Sequence, residues 1–486
     1  MTTDRQPGQQ TIAVLPLGRN TFDTDFAEQQ LELMLQQLQL HADAHGNTLI
    51  GSQELLYDAS AARDAIAGID AADQILILQV TFTDAATTLD IATHCEKLRP
   101  RPIPLSIWAI PEPRLGERLR LNAFCGLNLA SHALGRQAVE FSWLYRSPDV
   151  TAAQPATTST LQEDLHGLFG GQRLAGRVHV EPPSSTGNNA ADTPLPLAQK
   201  RVLRIGDRPD GFITCDYNAT QLQQLTGLQV DSLELTSLFD EARAVDASAA
   251  AAVVDAVHAQ LDDVDSVDAV ELERSCRLKC ALDNLHERQP VDAFALRCWP
   301  ETFTEYGGAV CGPASMLGEN RVPCAGEADV YGAATQLLLQ DAANDVVFLV
   351  DIVDMDCSDD TAVVWHCGQA PASMCDADVS PRATLHTNRK MPLLYEFPLK
   401  PGRITLVRLS QGFNEPKLIL AGGEVLKRDM AFTGTSGVVR FDNGTDNALQ
   451  QLIDCGLEHH MALVYGDCRA VLRTAAARMQ LPVVEW

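Results

Sequence analysis

The sequence has 486 residues, a formal net charge of −27 and a pI near 4.7. Because domains usually run to ~100–200 residues, this length predicts about three of them. An acidic surface repels phosphate backbones, which argues against a nucleic-acid partner. No stretch approaches the ~18 apolar residues that cross a bilayer, and the polar residues 1–10 lack the features of a signal peptide. We therefore expect a cytoplasmic protein without a membrane partner.

The first part of the chain alternates strands with helices. This order predicts a parallel sheet with helices on both faces, whose ligands sit at the carboxyl ends of the strands. Polar residues at the end of the strand 73–80 and directly after it are candidates for such a site, although an ordinary solvated loop also explains them; they include Gln79, Thr81 and Asp84. The predicted elements are strands at 11–17, 73–80 and 102–110, and helices at 25–40 and 126–137.

A segment rich in turn formers separates the first part from the second. Residues 181–196 (EPPSSTGNNAADTPLP) show no hydrophobic period. We therefore place the N-terminal α/β domain at 1–180, a linker at 181–198 and a second α/β domain at 199–342. Its predicted strands are 201–205, 291–298 and 322–325, with helices beginning at 312 and at 330.

The hydrophobic pattern of the sequence changes after residue 344, where short β-type runs alternate with residues typical of turns. Such spacing predicts an antiparallel or barrel-like domain, which we place at 343–486. The runs are 346–353, 362–367, 404–409, 417–421 and 437–441, followed by a helix–strand–helix–strand order at 447–486.

Carboxylates and histidines gather near predicted strand ends between 327 and 460. Asp351 interrupts an apolar strand, where an unpaired carboxylate is costly. Two carboxylates with one or two imidazoles suit an open divalent-metal site of the Mn²⁺ or Mg²⁺ type, and added histidine admits Co²⁺, Ni²⁺ or Zn²⁺. A turn-capping or Arg-paired Asp351 and a structural histidine pair are the alternatives. The residues are Glu327, Asp329, Asp351, His366, His459 and His460.

Five segments resemble the family of L-fucose and L-arabinose isomerases. They are 298–300 (CWP), 326–333 (GEADVYGA), 348–352 (FLVDI), 364–368 (VWHCG) and 458–467 (EHHMALVYGD). A weaker likeness runs through 79–84 and 124–128 in the N-terminal half. The resemblance implies two doubly wound, Rossmann-like α/β domains followed by a C-terminal β-rich, barrel-like domain.

The resemblance also implies the ligands of one Mn²⁺-type ion, for which Mg²⁺ or Co²⁺ are substitutes. The matching positions are Glu327 in the second domain and Asp351 and His460 in the third, with His366 as a fourth ligand or a substrate contact. Glu327 and Asp351 would also move the proton of an aldose–ketose isomerisation through an enediol.

Further contacts to the sugar follow from the same resemblance. Trp299, His366 and His459 are candidates beside the metal, and a core position for Trp299 is the alternative. Family members are homo-oligomers in which the N-terminal domain completes a neighbour's pocket, so Gln79, Thr81 and Asp84 are candidates for that role.

Three functions of different classes fit the sequence. The first is an isomerase, whose sugar stays open between neutral aldoses and a charged one such as a sulfosugar. The second is a sugar-binding or regulatory protein without catalysis, and the third is a metal-dependent hydrolase or aldolase. Convergence of Glu327, Asp351 and His460 on one point would favour the first over the second.

Overall fold

The structure is a computed structural model that describes residues 9–67, 69–98, 103–150, 159–172, 175, 194–289 and 291–486. Each of its three sheets occupies a separate part of the chain, in the order expected from the sequence. Within these ranges no helix combines the length and apolar character needed to cross a membrane. All thirteen cysteines lie in the described ranges, and none of them forms a disulfide.

The first sheet has five parallel strands in the order β2-β1-β3-β4-β5. The strand order reverses between β1 and β3, since β2 is added on one side of β1 and the later strands on the other. Apart from the partly exposed edge strand β2, its strands are buried on both faces, as parallel strands covered by helices must be. The strands are β1 (Thr11–Leu17), β2 (Thr48–Gly51), β3 (Gln74–Gln79), β4 (Leu105–Ala109) and β5 (Phe141–Tyr145). The helices are α1 (Thr24–His45), α2 (Ala59–Ile66), α3 (Ala85–Leu98), α4 (Ala123–Arg136) and α5 (Leu161–Phe169).

The second sheet has four parallel strands in the order β7-β6-β8-β9. The strands are β6 (Arg201–Ile205), β7 (Gln229–Leu233), β8 (Ala293–Leu296) and β9 (Cys324–Ala325). The helices are α6 (Ala219–Thr226), α7 (Leu235–Ala244), α8 (Ala247–Gln260), α9 (Ala269–Arg288), α10 (Cys311–Glu319) and α11 (Val330–Ala343).

The third sheet has nine strands and closes on itself. Antiparallel pairing runs β16-β11-β10-β17-β14-β15, and β15 pairs again with β16, which completes a six-stranded barrel. The strands are β10 (Phe348–Asp356), β11 (Thr361–His366), β12 (Arg382–Thr384), β13 (Leu394–Pro398), β14 (Gly402–Ser410), β15 (Lys417–Val425), β16 (Thr435–Phe441), β17 (His460–Tyr465) and β18 (Val483–Glu485). Helices α12 (Thr445–Asp454) and α13 (Arg469–Arg478) flank it. The predicted fold class is therefore confirmed.

Helix α4 fixes the N-terminal domain against the barrel domain. The Asn128 amide donates to the Leu457 carbonyl at 2.6 Å, and the Ser131 hydroxyl donates to the Ile453 carbonyl at 2.7 Å. Both side chains are buried, so each bond satisfies a polar group that would otherwise be costly at this interface. The predicted linker, 181–198, lies for the most part outside the described residues, and the domain limits stay predictions.

Candidate active site

Glu327 lies two residues beyond the carboxyl end of β9, in a short turn before α11. Its φ of 58° is in the left-handed region, where a non-glycine residue is held at a cost of order 1–3 kcal/mol. The turn places each oxygen of its carboxylate beside a nitrogen: the Trp299 indole N–H donates to Oε1 at 3.1 Å, and His459 Nε2 lies 2.8 Å from Oε2. Burial alone would raise the pKa of Glu327, but the charge and hydrogen bond of His459, together with His460, lower it to about 2.

Asp351 and His460 are brought together by strand register. Asp351 on β10 is paired with His460 on β17, so their side chains emerge side by side, with Asp351 Oδ1 3.6 Å from His460 Nε2. Burial raises the pKa of Asp351 despite the nearby histidines. Its Oδ1 atom is buried and accepts no hydrogen bond in the described part of the chain. A cation beside Oδ1 would satisfy this oxygen.

Asp329 orients the imidazole of His460 from behind. Its Oδ2 atom lies 2.9 Å from His460 Nδ1, and a bidentate ion pair with Arg408 (2.6 and 3.1 Å) lowers the pKa of Asp329 against the opposing effect of burial. An ionised carboxylate only accepts, so Nδ1 of His460 carries the proton. Nε2, which lies 3.9 Å from Glu327 Oε2 and faces Asp351, is left with its lone pair. A carboxylate behind a histidine is the usual support of a metal-binding imidazole.

His459 lies beside His460, with ring centroids 3.9 Å apart. Its Nδ1 pairs with the Thr214 hydroxyl at 2.8 Å, while Nε2 faces Glu327. Burial opposes a charge on this ring, but the Glu327 carboxylate outweighs it and raises the pKa of His459. Adjacent strand residues would face opposite ways, but His459 precedes the first residue of β17, so that alternation does not apply to it.

His366 completes the imidazole group, with its ring stacked 5.6 Å from that of His460. The backbone N–H of Cys367 donates to His366 Nδ1 at 2.8 Å, and the Gln369 amide lies equally close. Since a backbone N–H only donates, the neutral ring carries its proton on Nε2. In this state His366 is a hydrogen-bond donor, which suits a substrate oxygen better than a metal ion.

A cavity lies where the three domains meet, and its lining includes Glu327, Asp351, His366 and His459. Trp299 forms one wall of the cavity. Its ring packs edge to face against Phe212 at 5.1 Å, and its indole N–H donates to Glu327, so it has both apolar and polar contacts. The lining residues include Arg19, Phe22, Phe82 and Asn122 from the first domain, Phe212, Cys298, Trp299 and Glu327 from the second, and Asp351, Trp365, His366, Arg389 and His459 from the third. One chain by itself therefore supplies residues from all three domains.

Gln79 and Asp84 do not reach this cavity. Gln79 is fully buried, and its amide donates to the Thr81 carbonyl and the Thr83 hydroxyl within its own domain. Asp84 accepts the N–H of Ala86 in the first turn of α3 and lines a separate depression beside Gly211. Thr81 is also buried, and its hydroxyl accepts the N–H of Arg19 and donates to the Phe82 carbonyl. The side chains of Gln79 and Thr81 thus serve the N-terminal domain itself, and Asp84 stays the candidate for a neighbour's pocket.

Arg408, Thr214, Arg19 and Arg389 were not predicted as site residues, and Asp329 was named among the candidate carboxylates but not as a ligand. Arg408 carried a signal, because a charge inside the apolar run 404–409 needs a buried partner. Asp329 stood in the 326–333 motif without an assigned role. Thr214 and the two arginines had no such signal in the sequence, since a single polar residue in a loop has the same sequence pattern whether it faces solvent or a cavity.

Two α/β domains, a closed barrel and a carboxylate–imidazole cluster at their junction form the architecture that the motifs implied. The model of the fucose/sulfoquinovose isomerase N-terminal domain matches residues 13–163. The resemblance to a fucose isomerase-like family is thereby confirmed.

Curated relatives extend the similarity over almost the whole chain. A sulfoquinovose isomerase of Alkalicoccus urumqiensis is 27% identical over 482 residues, which cover 98% of this chain and 99% of the relative. Sulfoquinovose isomerases of Priestia aryabhattai and Clostridium sp. (strain MSTE9) are each 26% identical, over 94% and 97% of this chain and 95% and 98% of their own lengths.

Proposed function

We propose that this chain is a divalent-metal-dependent aldose–ketose isomerase whose substrate is a sulfonated aldose. The convergence of Glu327, Asp351 and His460 carries the proposal, because it leaves a buried, unpartnered Asp351 oxygen facing an imidazole lone pair. Oxygen and nitrogen donors of this kind suit Mn²⁺, with Mg²⁺ or Co²⁺ as substitutes. The names of the curated relatives support the reaction and the class of sugar.

The residues around the cavity account for the proton movements of the reaction. Isomerisation through an enediol removes a proton from one carbon and returns it to its neighbour, and the Glu327 and Asp351 carboxylates supply the base. A general base in position contributes ~10²–10⁴-fold. His366 Nε2–H donates to a substrate oxygen, and Trp299 excludes water from one side of the sugar. An ion held by Glu327, Asp351 and His460 supplies Lewis-acid stabilisation of negative charge on the substrate oxygens.

Removal of metal is expected to abolish activity. Protein treated with a chelator and desalted should convert no sulfonated aldose to its ketose, and activity should return best with Mn²⁺. Ketose formation, followed by NMR without any cosubstrate, is the measurement. Full turnover by metal-free protein would contradict the metal-dependent reaction, cleavage of a bond would identify a hydrolase or aldolase, and binding without turnover would identify a sugar-binding protein.

Asp329→Asn is expected to weaken metal binding by roughly 10–100-fold, the usual effect of losing the support of a metal-binding histidine. The variant keeps all three proposed ligands but loses the negative charge at position 329 that holds the proton on His460 Nδ1. Calorimetric titration of the apoprotein with Mn²⁺ measures the change. Asp345→Asn, an exposed aspartate before β10, is the control; equal affinities of both variants would show that Asp329 has only a structural role.

The proposal includes a cytoplasmic homo-oligomer in which a neighbour's N-terminal domain approaches the cavity. The family resemblance supports this part, and sedimentation velocity measures it. A monomer with full activity would show that the first domain of the same chain, which already supplies Arg19 and Phe82, is sufficient.

A further inference from the structure

Two arginines from distant parts of the chain line the cavity beside the same tryptophan. Arg19 follows the carboxyl end of β1, and Arg389 lies in the loop between β12 and β13. Their guanidinium carbons lie 5.3 and 5.5 Å from the centroid of the same Trp299 ring. Contact with an aromatic face stabilises a guanidinium and holds it in a defined place while leaving its N–H donors free.

Neither guanidinium has an acidic partner in the described part of the chain, although acidic residues outnumber basic ones by 64 to 37. Both residues are half-buried. Burial and the neighbouring charge of Arg19 both lower the pKa of Arg389. Two like charges held close together and partly dehydrated are unfavourable unless an anion joins them.

The backbone of each arginine is fixed by its own domain. The buried Thr81 hydroxyl accepts the N–H of Arg19 at 2.8 Å. His386 Nδ1 accepts the N–H groups of Asn388 and Arg389 at 3.2 and 3.3 Å. The pair is therefore positioned before any ligand arrives, which reduces the entropy lost on binding.

Trp299 connects the two arginines with the carboxylate–imidazole cluster. Its indole N–H donates to Glu327 at 3.1 Å, while its ring faces both guanidinium groups. A molecule that lies along this side chain has one end at Glu327 and the other at the arginines. The cavity is thus negative at one end and positive at the other.

We propose that Arg19 and Arg389 form an anion subsite that binds the sulfonate of the sugar, at the end of the molecule opposite the reacting carbonyl. This inference rests on the proposed isomerase function and assigns its substrate specificity to two residues. A sulfonate presents three equivalent oxygens, so each guanidinium fork can donate to it. The local positive charge also offsets the repulsion that an anion meets from the acidic protein as a whole. A terminal phosphate shares this chemistry and is distinguished by experiment.

Arg19→Met and Arg389→Met keep the apolar stem and remove the charge. The ratio of kcat/KM for a sulfonated aldose to that for its neutral hydroxyl counterpart is expected to fall about 10–100-fold in each variant, the range for loss of a hydrogen bond to a charged group. Most of the change should be in KM for the sulfonated sugar, because the subsite lies away from the reacting carbons. Arg19→Lys and Arg389→Lys should recover part of the ratio. Arg63→Met, at an exposed arginine on α2, is the matched control.

Binding of sugar alcohols tests the subsite without catalysis, because an alditol has no carbonyl to isomerise. The wild-type protein should bind a sulfonated alditol more tightly than the neutral or the phosphorylated one in calorimetric titrations. Both methionine variants should lose this preference. An unchanged preference in either variant, or tighter binding of the phosphorylated alditol, would overturn the assignment. If no aldose is isomerised, the proposed function fails while the alditol preference still decides the subsite.

Discussion

Glu327→Gln and Asp351→Asn are each expected to reduce turnover by ~10²-fold or more, the usual contribution of a positioned acid or base. Both changes keep the size of the side chain and remove its charge. Glu327 accepts from Trp299 and faces His459, so a glutamine there keeps the packing but loses the charge that these donors stabilise. Asparagine at 351 fills the same space but supplies only a neutral oxygen where Asp351 Oδ1 stands unpartnered. Initial rates of ketose formation at saturating Mn²⁺ measure both effects.

Saturating metal separates loss of a proton carrier from loss of a ligand. His460→Ala should act mainly through metal affinity, because its Nδ1 proton is held by Asp329 and its Nε2 has no proton to move. Excess Mn²⁺ should therefore restore His460→Ala in part and the carboxylate variants little. Glu305→Gln, at an exposed glutamate of the second domain, is the control. A carboxylate variant that keeps more than half of wild-type turnover would remove that residue from the proposed mechanism.

Arg408→Met is expected to lower the free energy of unfolding by about 3–5 kcal/mol, the usual cost of breaking a buried ion pair. Arg408 is fully buried on β14, and its guanidinium neutralises Asp329 through two hydrogen bonds and lies 3.8 Å from Glu458. Removing it leaves two buried carboxylates without a counter-charge. Urea unfolding followed by tryptophan fluorescence measures the shift.

Arg440→Met is the matched control in the same barrel, because Arg440 on β16 is half-exposed and its contact with Asp360 is long at 3.8 Å. Exposed pairs of this kind contribute ~0–1 kcal/mol. The double variant Arg408→Met, Asp329→Asn should regain part of the lost stability, because the charge that Arg408 neutralised is also removed. Equal stability of the Arg408 and Arg440 variants would contradict the importance of this buried pair.

Local patterns predicted most elements near the site but not the helices between β7 and β8. Strand β6 has the predicted limits 201–205, and the apolar run at 330–340 became α11 with three further residues. Helices α7, α8 and α9 were not predicted. Alanine predominates in the first two turns of α8, so it has little contrast between its faces, although its capping aspartate Asp246 is present in the sequence.

The candidate ligands could be found from the sequence because each was either a charged residue in an apolar strand, which is unfavourable without a partner, or part of a family motif. Asp351 stood out as a carboxylate in an apolar strand, and the 458–467 motif pointed to His460. Strand alternation would turn His459 away from the side of His460, but His459 lies outside the strand and reaches Glu327. A boundary shift of one residue decides this, and periodicity does not fix boundaries that closely.

The sequence by itself determined the order of α/β, α/β and barrel, the resemblance to fucose isomerases, and the residue types of the cluster. These depend on hydrophobic periodicity and on motifs a few residues long. The tertiary structure decided which side chains meet. The β10–β17 register sets Asp351 beside His460. The domain arrangement brings Arg19 and Arg389, which are 370 positions apart in the sequence, to the same tryptophan. Such contacts depend on strand pairing and domain packing, for which a single sequence holds no local signal.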